Sequence, residues 1–102
     1  MKIKYILLFL VAWMTSMSSA YAQQTVTASG LVMDEKGEAL IGVSVSVKEV
    51  PSMGAITDLD GRFRMTGIKA GNTLLISYIG YDTQEIRMTK SDERMRVVLK
   101  ES

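Results

Sequence analysis

Ten residues, Gly54 to Phe63 (GAITDLDGRF), restrict the fold of this chain more than any other stretch. Gly54 to Thr57 reads as a short strand and Arg62 to Met65 as its return. Between them Asp58-Leu59-Asp60-Gly61 carries turn chemistry. Aspartate carboxylates accept hydrogen bonds from turn N–H groups, and glycine supplies the backbone conformation that closes a tight hairpin. Both Asp58 and Asp60 are expected to cap turn N–H groups, and Phe63 to anchor the returning strand in a core.

The neighbouring patterns extend this reading to the whole domain. Val43, Val45 and Val47 alternate with Ser44, Ser46 and Lys48, the period of a strand with one buried face. Leu40-Ile41-Gly42 leads into it. Thr27 to Met33 reads as a first strand, with Gly30 at a bulge, and Asp34 to Gly37 as a turn. Pro51 has no N–H to donate to a ladder and suits a connection or an edge. Gly67 to Gly71 reads as a loop. A strand opening at Asn72 or Thr73 and running through Ile79 places Leu74, Ile76 and Tyr78 on one face and Leu75, Ser77 and Ile79 on the other. Both faces are largely apolar, so this strand is predicted to be central, with Gly80 ending it. Thr83 to Met88 alternates again, Thr89 to Glu93 is a polar turn, and Met95 to Leu99 is a last strand. Seven short strands with turn signals about every ten residues predict an all-β antiparallel sandwich.

The N-terminus predicts where this domain goes. Lys2 and Lys4 precede an apolar run from Tyr5 to Trp13. Ser16 to Ala22 then turns small and polar, ending Ala20-Tyr21-Ala22. This is the layout of a secretory signal with cleavage after Ala22. Its apolar core, about ten residues, is half of what a membrane-spanning helix needs. Residues 23–102 then form one domain. Of the 12 Lys and Arg, two lie in the signal, whereas all 11 acidic residues follow Ala22, so the mature formal net charge is −1. The chain has no cysteine, so no disulfide staples this exported domain and no cysteine carries a lipid. A core this small is marginal by itself, which favours attachment to something larger.

Residues able to run a reaction are scarce. The chain has no His and no Cys, which removes the commonest bases, thiol nucleophiles and zinc ligands. Ser44, Ser46 and Ser77 lie within strands, with no base nearby in sequence. Asp34 and Glu35 are adjacent on a turn and read as solvated surface. A calcium loop needs acidic residues at positions 1, 3 and 5, Gly at 6 and Glu at 12. With Gly61 at the sixth position, Ile56 and Gly67 occupy the ends, so Asp58 and Asp60 read as turn caps. The mature aromatics are Phe63, Tyr78 and Tyr81, which read as core and corner residues. Tyr81 is expected to hydrogen-bond back to the backbone, as tyrosine corners do. The Lys and Arg residues form no stripe along the chain of the kind that binds nucleic acid. No enzymatic activity, cofactor or metal is expected.

A resemblance becomes specific once these strings are joined. They are the spacing Val26, Gly30, Val32, Asp34, Gly37, Leu40, Gly42, Val43, Val45, Val47, then GAITDLDGRF, then Leu75 to Glu85 (LISYIGYDTQE), then Val97-Val98-Leu99. The whole resembles the carboxypeptidase-regulatory-like (transthyretin-like) domain. More narrowly, it is similar to the version at the N-terminus of SusC/RagA-type TonB-dependent outer-membrane transporters. The TDLDGRF and SYIGY strings discriminate most. The resemblance implies a seven-stranded immunoglobulin-like sandwich in the periplasm, ahead of a plug and a large barrel that imports glycans or peptides with energy relayed by TonB. It brings no catalytic or metal residues. It does carry over structural positions: Asp58, Asp60, Gly61 and Phe63 at the hairpin, and Tyr78, Gly80 and Tyr81 at the strand end.

The expected role is a non-catalytic accessory domain of an outer-membrane uptake system. It would meet protein partners of that complex on the periplasmic side, bind no nucleic acid, and reach the outer membrane only through a larger transporter. Because no plug or barrel follows Leu99, a fragment or truncated form is expected. The alternative is a stand-alone exported module binding carbohydrate or cell wall, which requires Tyr78 and Tyr81 to be exposed.

Overall fold

A computed structural model describes residues 24–102; the signal expected over residues 1–22 lies outside the described residues. The chain forms β1 (Thr25–Asp34), β2 (Ser44–Val47), β3 (Val50–Ile56), β4 (Arg62–Lys69), β5 (Thr73–Ser77), β6 (Gln84–Arg87) and β7 (Asp92–Leu99). They build two sheets, of order β4-β1-β7 and β3-β2-β5-β6, which face each other as an immunoglobulin-like sandwich.

The period-two pattern decides what fills the space between the sheets. Val45 and Val47 of β2, Leu74 and Ile76 of β5, Val32 of β1, and Val97 and Leu99 of β7 are buried there. Their sequence neighbours Ser44, Leu75, Arg96 and Val98 point outward and are exposed or only partly buried. Phe63, Met65 and Ile68 of β4 complete the core, with Phe63 only 4% exposed. Each aliphatic side chain so buried contributes about 1.5–3 kcal/mol. Since the chain has no disulfide, this packing carries the fold.

One ladder departs from the expected antiparallel arrangement. β1 pairs antiparallel with β4 and parallel with β7, whereas the three ladders of the other sheet are antiparallel. The cause lies in the chain path. Each link reverses direction, so all odd-numbered strands run the same way, and β1 and β7 are parallel because they are neighbours.

Several boundaries also shift. β3 begins at Val50 and includes Pro51, because β3 is an edge strand and the missing N–H interrupts no inner ladder. β4 continues past the predicted Met65 to Lys69. It does so through a bulge, since Ala28 faces Met65 but Val26 faces Ile68. β7 likewise starts at Asp92, earlier than predicted. β5 is central, between β2 and β6, but stops at Ser77, and Ile79 has left the sheet and is 98% exposed. Gly30 sits where the β1–β7 register shifts between Ala28 and Gly30. A Cβ there would lie 2.3 Å from the Met95 carbonyl oxygen, so only glycine fits.

Candidate functional site

The positions singled out by sequence gather at one pole of the sandwich, where β1, β3, β5 and β7 end. The hairpin comes first. Asp58 Oδ1 accepts hydrogen bonds from the N–H groups of Asp60 and Arg62, each at 2.9 Å. The Asp58 carbonyl accepts from Gly61 N, and Asp58 N donates to the Arg62 carbonyl, again at 2.9 Å. The capping oxygen therefore belongs to Asp58. Asp60 joins through its N–H rather than through its carboxylate, because it stands at an exposed central position of the turn. Gly61 has φ 74° and is pressed onto β1, where its carbonyl accepts from Val32 N at 2.8 Å.

Thr57, read from sequence only as a strand end, holds this pole together. It is buried, and its Oγ1 donates to the Leu40 carbonyl at 2.6 Å and accepts from Val43 N at 2.9 Å. Its backbone bonds Val43 and Gly42 as well. The loop that enters β2 is thus clipped to the end of β3. The available signal was parity: Ile56 faces out, so a polar Thr57 faces in and needs partners.

The second string, Ser77 to Tyr81, turns tightly. Tyr81 N donates to the Tyr78 carbonyl at 3.1 Å, and Gly80 has φ 89°. The two tyrosine rings pack against each other with centroids 5.7 Å apart, tilted by 35°, and both are partly buried against the core. Among the described residues the Tyr81 hydroxyl makes no hydrogen bond to the backbone, and the bond at this corner comes from the Tyr81 N–H instead. Tyr81 also bridges Glu101, while Asp82 N donates to the Lys100 carbonyl at 2.8 Å and Ser102 N to the Gly80 carbonyl at 3.0 Å. The end of the described chain is thereby tied to this pole. Loss of hydration raises the Tyr81 phenol above its ordinary value, and the carboxylates of Glu101 and Asp34 push it further the same way.

The fold also assembles a feature that reading along the chain dispersed. On the outer face of the β4-β1-β7 sheet, Arg62 and Arg96 both stand opposite Leu31, one on each side. Arg64 stands opposite Ser29, and Arg94 adjoins on β7. All four arginines are exposed. The sequence holds them as two pairs, each two residues apart and so on one strand face; only the register unites the pairs. Ser44 and Ser77 are cross-strand partners on the outer face of the other sheet. Among the described residues, no group of three or more Asp or Glu is arranged to hold a metal ion.

Residues 28–102 match the CarboxypepD_reg-like domain family. The chain belongs to this family. It is 40% identical over 96 residues, or 94% of its length, to the TonB-dependent receptor SusC of Bacteroides thetaiotaomicron. It is 39% identical over 82 residues, 80% of its length, to a TonB-dependent receptor of Formosa agariphila. It spans only 9% and 8% of these two receptors. Among solved structures, a 3-chlorocatechol 1,2-dioxygenase from Rhodococcus opacus shares the fold with a TM-score of 0.58 and 14% identity, over 79% of this chain and 61% of that one. At that identity the likeness concerns the sandwich alone.

Proposed function

We propose that this chain is the non-catalytic accessory domain of a TonB-dependent, SusC/RagA-like outer-membrane uptake system. Residues 1–22 direct its export, and the sandwich of residues 23–102 stands on the periplasmic side, where it contacts protein partners and runs no chemistry of its own. The 40% identity to a TonB-dependent receptor across nearly the whole chain carries this reading. The site geometry agrees with it. Asp58, Gly61, Phe63, Tyr78, Gly80 and Tyr81 are engaged in turn bonds, ring packing or core, which supports a structural role for them. The cargo class is glycans or peptides, imported by the plug and barrel of the larger transporter.

The partial burial of Tyr78 and Tyr81 leaves a sugar platform without its exposed aromatic pair, so the stand-alone binding module is the weaker reading. The test is deletion of residues 24–102 from a transporter that carries this domain, with plug and barrel intact. Normal barrel insertion with reduced uptake is expected. Uptake at the undeleted rate would overturn the role. Mass spectrometry of the exported chain should find Gln23 at its N-terminus, and an intact Met1 would overturn the assigned signal.

A further inference from the structure

We propose that the arginine face of the β4-β1-β7 sheet binds an extended acidic segment of a protein partner, laid along the strands with alternate Asp or Glu side chains on the guanidinium groups. The inference rests on the domain acting as a protein-binding module, and it names the surface and the chemistry of the partner.

Spacing is the first argument. Arg62 and Arg64 are two residues apart on β4, as are Arg94 and Arg96 on β7, a separation of roughly 7 Å along a strand. The same repeat separates alternate side chains of any extended peptide. Across the face, Arg62 and Arg96 flank Leu31, which puts their strands roughly 10 Å apart. Leu31 forms an apolar floor between Arg62 and Arg96, where a peptide strand enters between the rows. The Arg64–Glu93 pair spans the two rows at the Ser29 end, where an incoming carboxylate takes the place of Glu93.

Charge is the second argument. The four arginines share this region with Glu93, which pairs with Arg64 at 2.6 Å. A carboxylate therefore already seats on the face. Arg62, Arg94 and Arg96 have no carboxylate partner among the described residues. Because the chain after Ala22 carries a formal net charge of −1, this basic surplus belongs to the face and not to the domain. Guanidinium forks take carboxylates in bidentate pairs, and such pairs specify geometry as well as charge.

The test titrates the purified chain with a labelled peptide of alternating Glu and Ser. Arg62→Glu with Arg96→Glu should weaken binding about tenfold or more, and charge-matched Lys36→Glu with Arg87→Glu by less than about threefold. Arg62→Gln with Arg96→Gln, checked for an unchanged melt, should also weaken binding, which separates loss of the face from loss of fold. A peptide of the same composition with its glutamates in one block should bind more weakly. Equal loss in face and control variants overturns the proposal, as does equal binding of the two peptides. Tighter binding to phosphatidylglycerol vesicles or duplex DNA than to the alternating peptide also overturns it. If the peptide fails to bind while deletion of the domain still reduces uptake, this inference falls and the accessory role stands.

Discussion

Two turns of this molecule are the same object placed in different surroundings. In Asp34–Glu38, Asp34 Oδ1 accepts from Lys36 N and Glu38 N at 2.9 Å, and Gly37 has φ 83°. In Asp58–Arg62, Asp58 Oδ1 accepts from Asp60 N and Arg62 N at 2.9 Å, and Gly61 has φ 74°. The backbone bonds also correspond, from Asp34 N to the Glu38 carbonyl and from Asp58 N to the Arg62 carbonyl, both 2.9 Å. A Cβ added at Gly37 would meet nothing within 4 Å. One at Gly61 would lie 2.8 Å from the Val32 carbonyl oxygen and 2.9 Å from the Ala39 Cβ. The local chemistry makes either turn; packing makes only the second one indispensable.

The strongest way to break this comparison is the pair Gly61→Ala and Gly37→Ala. Both force an L side chain into left-handed backbone, at about 1–2 kcal/mol. Gly61→Ala adds overpacking against backbone, about 1–3 kcal/mol more. Urea melts of the two variants should therefore differ clearly, with Gly61→Ala the less stable. Equal midpoints would show that the turn on β1 yields without cost.

Thr57→Val comes next in size. It keeps the shape but leaves the Leu40 carbonyl and the Val43 N–H without their side-chain partner, which costs about 1–3 kcal/mol. An unchanged melt would mean that water replaces the hydroxyl. Asp58→Ala and Asp34→Ala remove matching caps from exposed turns. Each should cost about 1 kcal/mol, and the two should agree closely, which sharpens the claim that the local chemistry is the same. A much larger loss at Asp58 would place part of the difference in the cap itself.

The smallest effect is electrostatic. The Tyr81 phenol holds its proton more tightly in the folded state, so the folded pKa lies above the unfolded one of about 10. Its contribution is present below the unfolded value and is lost as pH rises through the folded one. Tyr81→Phe should flatten the decline of stability above about pH 10. Parallel alkaline profiles for the two proteins would remove Tyr81 as a source of that decline.

Much of this fold is legible in residue order because its cues are local. Valine alternation from Val43 to Val47 marks β2, and the Asp-x-x-Gly spacing marks both turns. Phe63 follows its turn at the parity that points it inward. These cues act over two to four residues, the range of a pleat or a hairpin. Residue order was equally informative about the family, through TDLDGRF and SYIGY. Parity turns Thr57 inward, but residue order does not name its partners, because Leu40 and Val43 lie 17 and 14 residues away.

Tertiary pairing settled the rest. Alternation says which residues of a strand share a face but not which strands lie side by side. Hence the parallel β1–β7 ladder, and the demand for glycine at residue 30 under the Met95 carbonyl, emerge only when the last strand meets the first. The same pairing turns two separate Arg-x-Arg pairs into one face. Long-range register places charges that are more than 25 residues apart in sequence on opposite sides of Leu31, and no local pattern encodes that distance.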